Sequence, residues 1–311
     1  MYIQRTATSI VVHTPAKLNL FLEVLARRPD GFHEIETLMT GISLFDTLTL
    51  SPRTDDVLQL TCNWASGAAA RDQAAQVNHI ADQASLGPLP ANAQNIVIRA
   101  LALLQQRTGS PRGADVRLVK RIPAAAGLGG ASSDAAAALV AANEAWELGL
   151  SQRELAAIAA ELGSDIPFFL EATTAMCRGR GERIEPLERA RLHAVVVRPP
   201  EGLSTPAVFS HCRPTVAAVG AEGLQKALKR GDVGSAARRM LNGLQGPATS
   251  LSGWISRLEA EFARLDCVGH QMSGSGSSYF GICHHARHAR RVAARLRARG
   301  LGSVFAVTTG C

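Results

Sequence analysis

Pro123-Ala124-Ala125-Ala126-Gly127-Leu128-Gly129-Gly130-Ala131-Ser132-Ser133-Asp134 runs straight into Ala135-Ala136-Ala137-Ala138-Leu139. Small residues and glycines end in two serines, and a strong helix former follows at once. That order aims several backbone N–H groups, and the positive end of a helix, at one spot. Such a spot holds an anion, and a nucleotide's phosphates fit it best. Upstream, Asp115-Val116-Arg117-Leu118-Val119-Lys120 alternates like a strand, so the loop joins a strand to a helix. The spacing is neither Gly-x-x-x-x-Gly-Lys-Ser/Thr nor Gly-x-Gly-x-x-Gly, which sets aside the ordinary P-loop and the dinucleotide fingerprint. On its own, the stretch could also be a glycine entry to a serine-capped helix.

Around that centre the pattern is mixed. Ser9–His13 is β-rich, and after Pro15 a second strand, Lys17 to Leu25, has a period of two. It places Leu18, Leu20, Leu22 and Val24 on one face and Lys17, Asn19, Phe21 and Glu23 on the other. Arg28-Pro29-Asp30-Gly31 is a turn. Further strands are expected at 42–50 and 57–60, and a helix at 95–106 closed by Gly109-Ser110-Pro111. Residues 65–92, rich in alanine, glutamine and small polar residues, read as a surface insertion. The helix after the glycine loop should reach Leu148. Ser151-Gln152-Arg153-Glu154 is a capping box for the next one, which stops at Gly163. Residues 175–184 read as a glycine-turned hairpin. Strands at 194–197, 276–283 and 304–308 alternate with helices near 222–231, 233–244, 252–265 and 285–299. Without a regular βαβα rhythm the expectation is an α+β fold in two lobes, residues 1–175 and 176–311.

Bulk properties narrow the function classes. The chain has 311 residues, 46% hydrophobic and 19% charged, enough for a sizeable core. No run of about 18 apolar residues suggests a membrane span. Met1 to Thr6 carries no secretory pattern, and the six cysteines lack C-x-x-C pairs; both point to a reducing cytoplasm. A formal charge of +7 favours acidic partners. The densest basic run, His284 to Arg297, reads as a surface helix with an apolar stripe. Aromatic residues make up 5% of the chain and none interleaves with that run, against nucleic-acid stacking. Its histidines have no acidic or cysteine companions, so no metal site is expected there.

Four other segments accompany the glycine loop: Pro15-Ala16-Lys17-Leu18-Asn19-Leu20, Gly31-Phe32-His33-Glu34, Gly163-Ser164-Asp165-Ile166-Pro167 and Met272-Ser273-Gly274-Ser275-Gly276-Ser277-Ser278. Phosphoryl transfer needs a phosphate cradle, an acceptor hydroxyl held in line and charge stabilisation. The loop supplies the cradle, Lys17 a positive charge and Asp165 a group to take the hydroxyl proton. Were Lys17 adjacent, its charge would ready that carboxylate. Singly, each has a plain reading: Asp165 a turn former, Lys17 a strand-edge gatekeeper, His33 a satisfied histidine, Gly274 and Gly276 a tight turn. Their joint occurrence is what those readings leave unexplained.

In order and wording, these motifs resemble the GHMP superfamily of small-molecule kinases. The resemblance rests on Pro15 to Leu22, Arg28 to Glu34, the glycine–serine loop, Leu162 to Leu170, Gly179 to Leu187 and the C-terminal glycine–serine loop. It spans nearly the whole chain apart from residues 65–92. It implies an N-terminal ATP-binding α/β lobe like domain 2 of ribosomal protein S5, a ferredoxin-like C-terminal lobe, and ligands between them. Within the superfamily the wording is nearest the branch acting on a cytidine diphosphate-linked polyol of the non-mevalonate isoprenoid route, phosphorylated on its 2-hydroxyl.

By the same resemblance Asp165 is the general base and Lys17 its partner. ATP, with Mg²⁺, lies on Pro123, Gly127, Leu128, Gly129, Gly130, Ala131, Ser132 and Ser133. Asn19 and His33 contact the cytidine diphosphate end, Phe32 and Phe209 wall the base, and Gly274, Ser275 and Gly276 complete the substrate side. Ser133 is the one candidate side chain for the metal, whose ligands the sequence leaves open. Ala124, Ala125, Ala126 and Ala131 stand where relatives commonly carry glycines, and each added Cβ restricts φ. A monomer or weak homodimer is expected, with no nucleic-acid or membrane partner. Two alternatives stay open: a GHMP kinase for another small alcohol, and a nucleotide-binding protein without catalysis.

Overall fold

The alternation that begins at Ile10 carries through to Arg27 as one strand in the computed structural model, which describes residues 1–65, 89, 93–214 and 216–311. The sequence suggests two strands split at Pro15. They are one because a register shift between Pro15 and Ala16 absorbs the residue that cannot donate. A second shift, between Asn19 and Phe21, reverses the parity of the alternation. Phe21 therefore joins Leu18 and Leu20 in one core cluster, while Leu22 and Val24 enter another. The expected division into two faces holds as far as Asn19 and fails beyond it.

The first half comprises β1 (Tyr2–Arg5), β2 (Ile10–Arg27), β3 (His33–Pro52), β4 (Leu58–Trp64), α1 (Ile96–Thr108) and β5 (Ala114–Lys120). It continues with α2 (Gly130–Ala145), α3 (Gln152–Leu162), α4 (Ile166–Glu171), β6 (Thr174–Gly179) and β7 (Arg183–Pro186). Strand order is β1-β2-β3-β5-β4, with β6 on the far stretch of β3 and β7 beside β6. The junction drawn at residues 175 and 176 falls inside β6; the chain leaves this sheet after Pro186 and enters the second at His193.

Helix signals act where the sequence puts them. Asn95 caps α1 by accepting from Val97 N–H, and Gly109 ends it at φ 69°. Ser151 and Glu154 form both halves of a capping box on α3. Helix α2 stops at Ala145, short of Leu148, because Trp146 turns in and donates its indole N–H to Gly113 O at 3.0 Å. The alanine run of α2 is wholly buried and lets the helix press onto the sheet.

After β8 (His193–Arg198) come α5 (Thr205–Ser210), α6 (Glu222–Lys229), α7 (Val233–Ala237), β9 (Leu241–Asn242), α8 (Gln245–Leu251) and α9 (Gly253–Ala263). Then β10 (Gly269–Met272), β11 (Tyr279–Cys283), α10 (Ala286–Ala298) and β12 (Ser303–Thr308) complete the chain. Order β10-β11-β8-β12, antiparallel throughout, with α9 and α10 as crossovers, is the ferredoxin-like arrangement. The helix expected at 233–244 ends at Ala237; Leu241 and Asn242 instead add to β2 as a parallel strand. Residues 66–88 and 90–92, most of the expected insertion, lie outside the described residues. Among the described residues no helix is long and apolar enough to cross a membrane.

Candidate active site

Lys17 and Asn19 leave β2 side by side, and Lys17 Nζ donates to Asn19 Oδ1 at 2.6 Å. From the start of α4 Asp165 reaches the same ammonium, Oδ2 lying 3.6 Å from Nζ. Lys17 is 3% exposed, whereas the Asp165 side chain is 37% exposed and open to a ligand. The two residues that phosphoryl transfer asks for are thus adjacent, though 148 residues apart in sequence. Asn19 Nδ2 donates to Thr37 Oγ1 at 2.8 Å, and Thr37 donates to Phe21 O at 2.6 Å. Both polar ends of Asn19 are engaged beside the Lys17–Asp165 pair, and the residue lines the cavity.

The glycine loop is held against this strand and against the C-terminal loop. Lys17 N–H donates to Leu128 O at 2.9 Å, Ser278 N–H to Ala126 O at 3.1 Å, and Ser273 Oγ–H to Gly127 O at 3.0 Å. A Cβ on Gly127 would sit 2.1 Å from Ser273 O, and one on Gly129 2.9 Å from Lys17 Cγ, so neither position admits another residue. Gly129 caps α2 at φ 70°. Ser133 makes the first intrahelical bond, to Gly129 O at 2.9 Å, and the N–H groups of Gly130, Ala131 and Ser132 precede it.

Two expected positions, Ser133 and Gly276, do not line the cavity. Ser133 is fully buried; its hydroxyl donates to Pro15 O at 2.6 Å and meets Thr14 Oγ1, so it faces the sheet and not a ligand. Gly276 turns away behind the loop, its Cβ direction blocked by Met272 and Leu203. Gly274 and Ser275 do reach the cavity, and Asn242 Nδ2 fixes them by donating to Met272 O (2.7 Å) and Gly274 O (2.9 Å).

One cavity of about 1020 Å³ runs past Lys17, Asn19, Asp165, the glycine loop, Gly274 and Ser275. At one end stand Phe32, His33 and Phe209, the His33 and Phe209 rings 5.1 Å apart and tilted by 33°. Burial, and then the charge of Arg27, hold His33 below the usual imidazole range, so its ring is neutral near pH 7. Beyond the glycine loop the cavity continues between Cys62, Asn95, Ile96 and Leu118. Burial pushes the Cys62 thiol up to about 11, leaving an apolar wall.

Behind that extension lies a charged cluster that no sequence motif marks. Lys120 Nζ contacts a carboxylate oxygen of Asp46 and, at 2.5 Å, Asp134 Oδ2; all three side chains are buried. Asp46 Oδ1 accepts the N–H of Arg121 and, at 2.9 Å, that of Ile122, and so anchors the entry to the glycine loop. Burial, aided by Asp46 and opposed by Lys120, raises Asp134 well above the usual carboxylate range; its Oδ1 has no partner among the described residues. Among the described residues no three His, Cys, Asp or Glu gather as a metal site.

Family models agree with this geometry: GHMP kinases N terminal domain matches residues 95–172 and GHMP kinases C terminal matches 224–301. The chain is 38% identical over 285 residues to the 4-diphosphocytidyl-2-C-methyl-D-erythritol kinase of Pelotomaculum thermopropionicum, covering 91% of this chain and 92% of that protein. This chain belongs to the 4-diphosphocytidyl-2-C-methyl-D-erythritol kinase family of GHMP kinases. A crystal structure of 4-(cytidine 5'-diphospho)-2C-methyl-D-erythritol kinase matches with a TM-score of 0.78 at 35% identity, covering 97% of this chain and 99% of that one. Homoserine kinase from Cytophaga hutchinsonii, at 19% identity and a TM-score of 0.73 over 98% and 96% of the two chains, shares the fold alone.

Sequence reasoning passed over several residues that this member of the 4-diphosphocytidyl-2-C-methyl-D-erythritol kinase family brings to the site. Thr37, Asn242 and Gln271 orient Lys17, Asn19 and the C-terminal loop, yet none lies in a motif. Lys120 and Asp134 flank the glycine loop in the quoted stretch; a lysine closing an alternating strand was the available signal.

Proposed function

We propose that the protein transfers the γ-phosphoryl group of ATP to the 2-hydroxyl of 4-diphosphocytidyl-2-C-methyl-D-erythritol. The observation that carries the reading is the Lys17–Asp165 contact at 3.6 Å, between the glycine loop and an aromatic wall in one cavity. A cavity of about 1020 Å³ exceeds what one small ligand needs and accommodates two.

In this reading Asp165 takes the proton from the acceptor hydroxyl as its oxygen attacks the γ-phosphorus, and the bond from that phosphorus to the β,γ-bridging oxygen breaks, releasing ADP. Lys17, held by Asn19, supplies positive charge to the equatorial oxygens of the moving phosphoryl group. The N–H groups of Gly130, Ala131 and Ser132, at the positive end of α2, orient the remaining phosphates. The slot between Cys62, Ile96 and Leu118 suits the adenine. Phe32 and Phe209 stack on cytosine, and neutral His33 can both donate to and accept from its edge. Mg²⁺ would enter with the ATP substrate and would supply charge neutralisation on its phosphates. Ser133 is committed to Pro15 O, and the described residues offer no preset cation cage. Six free thiols suit a reducing cytoplasm.

The direct test is ADP release with MgATP and 4-diphosphocytidyl-2-C-methyl-D-erythritol, with homoserine and mevalonate as controls. Turnover with the cytidyl substrate alone is expected. Turnover with either control instead, or none with any alcohol, overturns the proposal.

A further inference from the structure

The cavity presents four long cationic side chains, Lys17, Arg27, Lys120 and Arg180. Lys17 is held by Asn19 and Asp165, and Lys120 by Asp46 and Asp134. The Arg180 guanidinium has no carboxylate within 4.0 Å among the described residues; Asp30 senses its charge from further away and is itself held by Arg28 at 3.1 Å. Its neighbour Arg178 is bound by Glu36 at 2.9 Å and Glu185 at 2.7 Å, so the contrast lies within a single turn.

Arg180 is nevertheless fixed. Its guanidinium carbon lies 4.6 Å from the centre of the Phe32 ring. Its backbone N–H donates to Glu182 Oε2 at 2.6 Å, and flanking glycines at φ 75° and 117° shape the turn. The same turn passes Asp165: a Cβ on Gly181 would lie 3.6 Å from Asp165 Oδ1. Arg180 therefore stands between the aromatic wall and the carboxylate. A ligand that reaches from one to the other must carry its linker past this cation.

We infer that Arg180 binds the diphosphate linker of the substrate, with the Phe32 ring presetting its guanidinium for two-pronged contact with phosphate oxygens. The inference rests on the nucleoside site proposed above. A planar fork held flat on a ring loses little freedom on binding, and phosphate matches its geometry. Arg27, beside His33 at the cavity edge, adds charge to the same region and has no ring beneath it among the described residues.

Titration calorimetry of the full chain with cytidine and with cytidine diphosphate separates the parts. The native protein should bind the diphosphate at least about tenfold more tightly than the nucleoside. Arg180→Gln should cut that preference to within about threefold while changing cytidine affinity by less than about threefold. Arg180→Lys, which keeps the charge and loses the fork, should fall between. A native preference that persists in Arg180→Gln overturns the inference and leaves the nucleoside site standing. Equal loss of both ligands in that variant also overturns it, because Arg180 would then be shaping the wall only. If the native protein binds neither ligand, the nucleoside site is itself refuted, and the inference with it.

Discussion

At 3.6 Å from Lys17 Nζ, the Asp165 carboxylate is more exposed than its partner and free to meet a hydroxyl. General-base removal typically costs about 10²–10⁴ in rate. Asp165→Asn keeps the shape and loses the proton acceptor, so kcat should drop by that order, with ATP affinity within about threefold of native. Near-native turnover would reassign the base. Ala125 makes a separate test. It holds φ at 48°, a region that costs a residue with a Cβ about 1–2 kcal/mol. Ala125→Gly relieves that strain and adds freedom to the unfolded chain worth about 0.4–1 kcal/mol, so the net gain should be small and positive. Urea midpoints should rise slightly, with ATP affinity preserved or improved. A loss above about 1 kcal/mol would mean that the methyl's contact with Gly202, whose own Cβ would approach it to 3.2 Å, outweighs the strain.

Among the elements, β3, the end of β5 and α2 are tied together by Asp46, Lys120 and Asp134. Removing one partner of a buried ion cluster leaves charge uncompensated and typically costs about 3–5 kcal/mol. Lys120→Met should do so, read as a fall in the denaturation midpoint, whereas Asp134→Asn should cost less than about 1 kcal/mol because burial already disfavours that carboxylate. The pH dependence has a definite sign. Asp134 titrates higher in the folded than in the unfolded chain, so its contribution is complete below the ordinary carboxylate pKa and is lost as pH rises through the raised one. The stability of Asp134→Asn relative to native should therefore improve with rising pH above about 4. A flat difference from pH 4 to 8 would show that Asp134 is not raised.

Legibility also divides by element. Caps and glycines are local chemistry, so Asn95, Gly109, Ser151 and Gly163 mark helix ends without tertiary help. The shift between Asn19 and Phe21 was hidden, because a bulge is fixed by the partner strand and not by the alternation itself. Likewise Leu241–Asn242 carries a helical pattern until β2 offers a parallel edge. At the site, glycine, serine, lysine and aspartate motifs were legible because the chemistry restricts their types. Thr37, Asn242 and Gln271 were not, since any polar residue of the right reach could serve and only the fold says which one does.

The molecule works as one unit because the loop at Met272–Ser278, from the ferredoxin-like half, forms a wall of the phosphate loop in the other half. Ser273 bonds Gly127 O, Ser278 bonds Ala126 O, and Gln271 Nε2 reaches Asn19 O at 3.0 Å. Asn242 ties this seam from behind: its one amide nitrogen serves two carbonyls of the loop, and its Oδ1 accepts from Leu244 N–H at 2.9 Å. Asn242→Ala leaves buried carbonyls unpaired, at a cost of about 1–3 kcal/mol. If the seam positions both ligands, ATP and cytidyl-substrate KM should rise together in this variant, because Gly127 and Gly274 shift as one. Asn242→Asp keeps the acceptor for Leu244 and loses the donor to the loop, so its kinetic defect should match that of Asn242→Ala while more stability is retained. Steady-state kinetics beside urea denaturation separate the cases: a rise in one KM alone would mean that the halves hold their ligands independently across this seam.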